Sequence, residues 1–166
     1  MFAAAEELAG MAAAEGGKPI YSYLDERACS AGYVLASAAD KVFGRREVTG
    51  GSIAALINVI DTSRAFEKAG LEPIVIRAEW ADRKARGGPG EKIDKETIAK
   101  LTSLVDDASA QIVEFVAAMR GMTENAIRDL RGDVFTGTQM VELGLMDDIK
   151  SEREAWDLLK EEIRSR

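Results

Sequence analysis

The sequence predicts a single α/β domain over residues 1–166, and three observations support this. Short segments rich in β-branched and aromatic residues alternate with helical segments, as in α/β domains. A chain of 166 residues suits one domain and can bury a sizeable core. Its hydrophobic fraction of 46% and charged fraction of 31% are ordinary for a globular protein.

The first half of the chain predicts alternating helices and strands before a loop. In order, we predict an amphipathic helix at 1–14, strands at 20–24 and 42–43, a helix at 28–39 between them, a turn at 49–52, a helix from Asp61 or Thr62 to Lys68 and a buried strand at 73–76. Charge and glycine dominate 77–92, so we predict a long loop there, a feature that is usually functional or disordered.

The second half contains the clearest element. Apolar residues recur at three- and four-residue steps from Ile98 to Met119, which predicts a long amphipathic helix beginning near Asp94. Then follow a predicted helix from Thr123 to near Gly132, a strand at 134–135, a helix at 137–143, a strand at 145–149 and a terminal helix that begins with a Ser151–Glu154 capping box.

The residue types that the sequence lacks limit its chemistry. Histidine is absent, which excludes the Ser–His–Asp triad, the Cys–His pair and histidine metal sites. A single cysteine, Cys29, excludes an internal disulfide and a thiolate zinc cluster. We therefore expect no metal and no cofactor. A hydrolase would need Lys, Asp, Glu or Tyr as its base, and lysine can serve when desolvation favours its neutral form.

Charge and hydropathy limit the partners. The net charge is −7 and no basic stripe is present, so we expect no nucleic-acid partner. No run approaches the ~20 apolar residues that span a bilayer, and the first residues lack a secretory pattern. We expect no membrane anchor in this chain and a cytoplasmic location.

Ser30 is the first candidate for chemistry. It stands where a strand and its turn give way to a helix, which places its hydroxyl near backbone N–H groups suited to an oxyanion. Ala31 and Gly32 are small enough to let a carbonyl approach. The alternative is that Ser30 only caps the helix, because serine is a preferred N-cap.

Four segments carry a resemblance to a known family. They are Ala28-Cys29-Ser30-Ala31-Gly32-Tyr33 with the small residues up to Asp40; Thr49-Gly50-Gly51-Ser52-Ile53; Lys84 before Gly87-Gly88-Pro89; and Val134-Phe135-Thr136-Gly137 with Gly144-Leu145-Met146-Asp147. In this order they resemble the signal peptide peptidase A family, most of all its phage head-maturation and capsid-assembly protease branch (lambda protein C type). Ser52 and Lys84 stand 22 and 54 positions after Ser30.

The resemblance implies a serine peptidase with a Ser–Lys dyad on a ClpP/crotonase-like fold. Ser30 would be the nucleophile and Lys84 the base, held neutral by burial and oriented by Ser52. The backbone N–H of Ala31 would be one oxyanion donor. Protein or peptide is the implied substrate, cleaved through an acyl-enzyme.

The sequence departs from the family pattern at two places. The family's first strand and its D/N-S-P-G-G loop, which gives the other oxyanion donor, have no counterpart before the first helix, so we expect a ClpP/crotonase-like fold that lacks them. The distance from the predicted strand that ends at Ile76 to Lys84 is two residues longer than the family's usual distance from this strand to the lysine.

Each site residue also has a structural alternative. Lys84 lies among other charges and on its own is typical of a solvated loop, and Lys92 is a second candidate base. Ser52 on its own is typical of a turn. Cys29 is interpreted as a small side chain beside the nucleophile, because no histidine activates it. Trp80 either packs over the lysine or anchors the loop.

The implied role is an endopeptidase of phage or prophage capsid maturation, or of signal-peptide or membrane-protein degradation, in a bacterial or phage-infected host cell. Related enzymes form rings in which neighbouring subunits can share catalytic residues, so we expect a ring-like homo-oligomer, with the long helix and the terminal helix as interfaces. One alternative is an inactive truncated homologue that acts as an assembly or scaffold protein. Another is an acyl-CoA-binding crotonase relative.

Overall fold

A computed structural model describes residues 2–13 and 17–165, which divide into two compact units. The first unit combines the chain up to Ala55 with the chain from Ala108 onward. The second unit is Leu56–Asp107. The two are described separately below, and the single-domain boundary of 1–166 stays a prediction.

The described residues form seven helices and six strands. The helices are α1 (Phe2–Ala13), α2 (Ala31–Ser37), α3 (Ser63–Lys68), α4 (Lys95–Arg120), α5 (Glu124–Asp129), α6 (Gly137–Glu142) and α7 (Glu152–Ser165). The strands are β1 (Tyr21–Leu24), β2 (Arg27–Cys29), β3 (Lys41–Gly44), β4 (Thr49–Gly51), β5 (Val134–Thr136) and β6 (Asp148–Ile149).

The strands of the first unit form two three-stranded sheets. One has the order β1-β3-β6, with all its pairs parallel. The other has the order β2-β4-β5, in which β2 and β4 are parallel and β5 is antiparallel to β4. Parallel neighbours need a crossover connection, and α2 lies in the segment that leads from β2 to β3 and β4.

The core of the first unit forms around α2. Tyr33, Val34 and Ser37 on this helix are fully buried, and Tyr33 donates its hydroxyl to the carbonyl of Leu145 at 2.7 Å. The second half of α4 adds a buried stripe from Ile112 to Ala117. This packing fixes the helix that begins immediately after Ser30.

Most of the predicted elements are present, and the corrections lie in the shortest ones. The long helix α4 is confirmed, and so is the terminal capping box, in which the Ser151 N–H donates to the Glu154 carboxylate at 2.7 Å. The helix predicted at 28–39 begins only at Ala31, because 27–29 pairs as strand β2. The turn predicted at 49–52 is strand β4 up to Gly51. The last predicted strand is reduced to β6, and residues 1 and 14 of the first predicted helix lie outside the described residues.

The strand predicted at 73–76 is wrong. This segment of the second unit forms no strand, and Ile74 and Ile76 are 84% and 91% exposed. Its β-branched residues satisfy the local preference for a strand, but a strand also needs a hydrogen-bonded neighbour. Among the described residues no neighbouring strand pairs with it.

Candidate active site

Ser30 occupies an unusual backbone conformation. It follows β2 directly and is the N-cap residue of α2, with φ 51° and ψ −121°. These angles are those of the first central residue of a type II′ turn, a position that glycine dominates. A serine there costs about 1–3 kcal/mol, and such strain concentrates at functional sites.

Hydrogen bonds on both sides hold Ser30 in this conformation. Its backbone N–H donates to the carbonyl of Gly51 at 2.8 Å, and its own carbonyl accepts the N–H groups of Tyr33 and Val34, both at 3.0 Å. Its side chain makes no capping hydrogen bond. Ser30 therefore has the N-cap position without the bond that gives a capping serine its usual structural role.

The two amides after Ser30 are available to a ligand. The first N–H groups of a helix have no partner within the helix, and among the described residues Ala31 and Gly32 donate theirs to no other group. Both residues are exposed. If the Ser30 hydroxyl attacks a carbonyl carbon, the negative charge develops on the carbonyl oxygen, and the N–H one residue after Ser30 is a donor for it.

Ser52 and Ser30 each follow the last pair of the β2–β4 ladder. Cys29 pairs with Gly51 there, and the Ser30 N–H donates to the Gly51 carbonyl at 2.8 Å, so Ser30 contacts the residue directly before Ser52. Ser52 also has a positive φ, 52°, and its N–H donates to the carbonyl of Asp133 at 2.7 Å. The structure therefore places two of the predicted site residues at the same end of the β2–β4 pair.

Close packing requires the glycines before Ser52. A Cβ atom on Gly50 would lie 2.5 Å from the Met140 side chain, and one on Gly51 would lie 2.7 Å from the Asp133 carbonyl. Gly51 also has φ 106°, which strains any other residue. The Thr-Gly-Gly-Ser segment therefore packs closely against Asp133 and Met140, and a side chain at either glycine would clash. The second glycine, Gly51, also supplies the carbonyl that accepts the Ser30 N–H.

Cys29 is partly buried at the end of β2. Its thiol donates to the carbonyl of Thr49 on the neighbouring strand at 3.9 Å. This contact agrees with a structural side chain beside the nucleophile.

Lys84 lies in the second unit and is exposed. Its turn is organised by Arg77, which forms a bidentate pair with Glu91 at 3.0 and 2.9 Å and also donates to the carbonyls of Lys84 and Ala85. The guanidinium fork thereby fixes the backbone around Lys84. The turn itself does not provide the burial of Lys84 that the sequence predicted. The role of Lys84 as base stays a prediction.

Two further candidates from this loop are also exposed. Lys92 is one of them, and Trp80 is 88% exposed. Trp80, Ile76 and Lys84 line one open pocket of about 470 Å³. Trp80 thus borders the same cavity as the lysine.

Sequence patterns could not reveal three groups that position these residues. They are the carbonyls of Gly51 and Asp133 and the side chain of Arg77. Backbone carbonyls leave no signal in the residue type, and β2, with three residues, is too short to show a period. Arg77 is one of several arginines in a charged loop, so its sequence position does not indicate that it holds the turn.

The sequence model of peptidase family S49 matches residues 12–165, nearly the whole chain. The chain belongs to peptidase family S49. The suspected family is thereby confirmed, and individual relatives agree with its phage branch.

Three relatives of the S49 chain have descriptive names. A signal peptide peptidase SppA of Enterococcus faecium is 33% identical over 145 residues, which are 87% of this chain and 42% of the relative. The capsid assembly protease C of Escherichia phage lambda is 25% identical, over 90% of this chain and 34% of the relative. The head-tail preconnector protein GP5 of Enterobacteria phage P21 is 24% identical, over 89% and 29%. The chain spans less than half the length of each.

Solved structures confirm the ClpP/crotonase-like fold of this S49 chain. A mutant of ClpP1 from Listeria monocytogenes has a TM-score of 0.52 at 11% identity, covering 91% of this chain and 67% of its own. An enoyl-CoA hydratase/isomerase family member has a TM-score of 0.50 at 16% identity, covering 98% and 43%.

No helix that the structure describes is both long and apolar enough to cross a membrane.

Proposed function

We propose that this chain is the core of a serine endopeptidase with Ser30 as nucleophile and Lys84 as base. Ser52 would orient Lys84, and the Ala31 N–H would be one donor to the oxyanion. Membership of a peptidase family and relatives named as proteases support a peptidase. The observation that carries the assignment of Ser30 is its strained backbone together with a hydroxyl that makes no capping bond.

The chemistry proceeds through two steps in this proposal. The Ser30 oxygen bonds to the peptide carbonyl carbon while its proton passes to the Lys84 amine. As the C–N bond breaks, Lys84 returns this proton to the leaving amine, and an ester with Ser30 remains. Water then attacks the ester, gives a proton to Lys84, and releases the acid as the proton returns to Ser30. In both steps the Ala31 N–H would stabilise the negative oxygen, where loss of one donor typically costs about 10²–10³ in rate.

A fluorophosphonate probe tests the nucleophile directly. We expect the intact protein to be labelled at Ser30, and the Ser30→Ala variant to remain unlabelled. The Cys29→Ser variant is the matched control, and it should label as the parent does. If the parent protein stays unlabelled while a known active S49 peptidase reacts, the catalytic proposal fails.

Casein cleavage tests the base. We expect Lys84→Ala to abolish cleavage and Lys92→Ala to retain it, because only Lys84 matches the family's lysine position. The opposite result would move the role to Lys92. If both variants remain active, neither Lys84 nor Lys92 is the base by itself, and the proposed Ser30–Lys84 pair fails.

For the substrate, we propose proteins of a phage or prophage head, because two relatives carry phage head or capsid names. The relative named as a signal peptide peptidase supports signal-peptide or membrane-protein fragments instead. Incubation with each class and mass spectrometry of the products decides between them.

A second candidate function is a non-catalytic assembly protein. The exposure of Lys84 favours it, because the dyad proposed above needs a lysine that is removed from water. Under this alternative the Ser30→Ala variant would support assembly as well as the parent. The fluorophosphonate experiment separates the two candidates.

A further inference from the structure

The peptide group between Gly51 and Ser52 makes a hydrogen bond at each end. Its carbonyl, on Gly51, accepts the Ser30 N–H at 2.8 Å, and its N–H, on Ser52, donates to the carbonyl of Asp133 at 2.7 Å. A peptide group is planar and stiff, so its C=O and its N–H cannot turn independently of each other. The backbone at Ser30 is therefore coupled to the backbone at Asp133 through one rigid group.

A tight turn presents the Asp133 carbonyl to this peptide group. The Asp133 N–H donates to the carbonyl of Leu130 at 3.0 Å, which closes a four-residue turn between α5 and β5. The two central residues of the turn, Arg131 and Gly132, have φ 55° and 71°. Positive φ at both central positions is the signature of a type I′ turn, which Gly, Asn and Asp dominate. The arginine at the first of these positions therefore has a strained backbone.

Backbone strain is concentrated along this series of hydrogen bonds. Four described residues other than glycine have a positive φ, and three of them, Ser30, Ser52 and Arg131, lie in the series or in the turn that ends it. The fourth, Ala85, belongs to the second unit. Such conformations persist only where the surrounding structure holds them, and they cluster at functional sites.

We propose that the turn Leu130–Asp133, which we call the support turn, positions Ser30 for nucleophilic attack. This inference rests on the proposed role of Ser30 as the nucleophile. The Asp133 carbonyl sets the plane of the Gly51–Ser52 peptide group, whose carbonyl in turn holds the Ser30 N–H and so the direction of the Ser30 side chain. A displacement of about 1 Å at a reacting group can cost about 10²-fold in rate. Gly132, which lets the turn form, is accordingly a positioning residue that acts through Ser30.

Close packing leaves the support turn little freedom to shift by itself. A Cβ atom on Gly51 would lie 2.7 Å from the Asp133 carbonyl oxygen, and one on Gly132 would lie 3.4 Å from the Cβ of Ala54. The Asp133 carboxylate accepts the N–H of Val134 at 2.8 Å, and Val134 pairs with Gly51 in the antiparallel β4–β5 ladder. A distorted turn must therefore move the strand that leads to Ser52.

The test compares two side chains at Gly132 that differ in their tolerance of a positive φ. Gly132→Val places a β-branched residue at φ 71°, which distorts the turn, whereas asparagine adopts such a φ far more readily. Both variants add a Cβ at the same place, beside Ala54. In the full chain we expect Gly132→Val to slow fluorophosphonate labelling of Ser30 by about tenfold or more, and Gly132→Asn to label close to the parent rate.

Gly121→Val is the matched control for a loss of stability alone. Gly121 follows α4 with φ 61°, and a Cβ there would meet no atom within 4 Å, so valine brings the same kind of backbone strain away from the support turn. We expect this variant to unfold at a lower temperature than the parent and still to label Ser30 at the parent rate. If Gly132→Val does not fold, Gly132→Ala takes its place, with the same φ and a smaller side chain.

Amide proton chemical shifts report the two hydrogen bonds without any catalytic chemistry. In isotope-labelled protein, Gly132→Val should move the signals of the Ser30 and Ser52 amide protons upfield, because both of their hydrogen bonds weaken. Gly132→Asn and Gly121→Val should leave both signals near their parent positions. These shifts do not depend on the free energy of unfolding as long as the protein is folded.

Two results would overturn the role of the support turn. One is a folded Gly132→Val variant that labels at the parent rate or keeps both amide signals in place. The other is an equal slowing by Gly121→Val, which would reduce the effect to lost stability. The proposed function fails separately, when the parent protein is never labelled at Ser30. In that case the two amide signals still decide whether the support turn holds the Ser30 backbone.

Discussion

The backbone N–H of Ser30 donates to the carbonyl of Gly51 at 2.8 Å, one step beyond the last pair of the β2–β4 ladder. This single bond ties the residue at the end of β2 to the glycine before Ser52. It holds Ser30 with φ 51° at the point where the chain turns into α2. The parallel register therefore sets the position of both serines.

Replacing Ser30 by glycine should remove activity and increase stability. Glycine adopts a positive φ without a steric penalty, whereas Ser30→Ala keeps the strain of a side chain. We expect the glycine variant to have a free energy of unfolding about 1 kcal/mol above that of the alanine variant. Urea unfolding of the two variants measures this difference. Equal stability would mean that the backbone at Ser30 is relaxed in solution.

Gly51→Ala should be among the most destabilising substitutions in the first unit. The new Cβ would lie 2.7 Å from the Asp133 carbonyl and 3.0 Å from the Phe135 ring, at φ 106°. We expect a loss of about 3 kcal/mol from strain and overpacking. Gly10→Ala is the control, because that glycine lies within α1 with no atom near its added Cβ. It should be neutral or gain up to about 1 kcal/mol, and thermal unfolding distinguishes the two.

Tyr33→Phe should cost about 1–3 kcal/mol. Tyr33 is fully buried, and its hydroxyl is a partner of the Leu145 carbonyl. Burial raises the pKa of this phenol, so the hydroxyl stays a donor at neutral pH. Removing it leaves a carbonyl without this partner inside the protein. Tyr23→Phe, at a partly buried and longer bond of 3.1 Å to Lys150, should cost less by the same urea measurement.

The sequence correctly predicted the elements whose signal lies within the element itself. Helix α4 is long enough to repeat its apolar pattern several times, and the Ser151–Glu154 capping box is complete in four residues. The strand at 73–76 was wrong because its pattern is local, while pairing depends on a distant neighbour. For the site, the order of motifs brought out Ser30 and Ser52. Their placement at the same end of the β2–β4 pair depends on the register, which strands of three residues do not encode in their own composition.

Arg77→Lys should loosen the turn that carries Lys84. Lysine keeps the charge but cannot hold Glu91 in a bidentate pair while also donating to the Lys84 and Ala85 carbonyls. Limited trypsin digestion, followed by mass spectrometry, should show cleavage between 83 and 86 about tenfold faster, which corresponds to about 1.4 kcal/mol of lost local stability. The control Arg64→Lys changes an exposed arginine of α3 and should leave that rate unchanged. An unchanged rate in Arg77→Lys would show that the fork does not order the turn.

Asp147→Asn should reduce the loss of stability in acid. Burial by itself raises the pKa of Asp147, but the Val42 N–H at 2.8 Å and the Arg120 guanidinium at 3.0 Å outweigh it, and the net pKa is lowered. A lowered pKa in the folded state means that the unfolded chain binds the proton more tightly. The stabilisation by the charged Asp147 carboxylate is therefore present above the pKa of the unfolded chain, about 3.9, and is lost as the pH falls through the pKa of the folded state.

At pH 7 we expect the Asp147→Asn variant to be less stable than the parent by about 1 kcal/mol, since the carboxylate is partly solvated. The difference in the free energy of unfolding should shrink below about pH 4. Urea unfolding from pH 7 to pH 3 measures it, with Asp106→Asn, an exposed acid of α4, as the control. A difference that grows on acidification would show that the Arg120 and Val42 contacts do not stabilise the charged form.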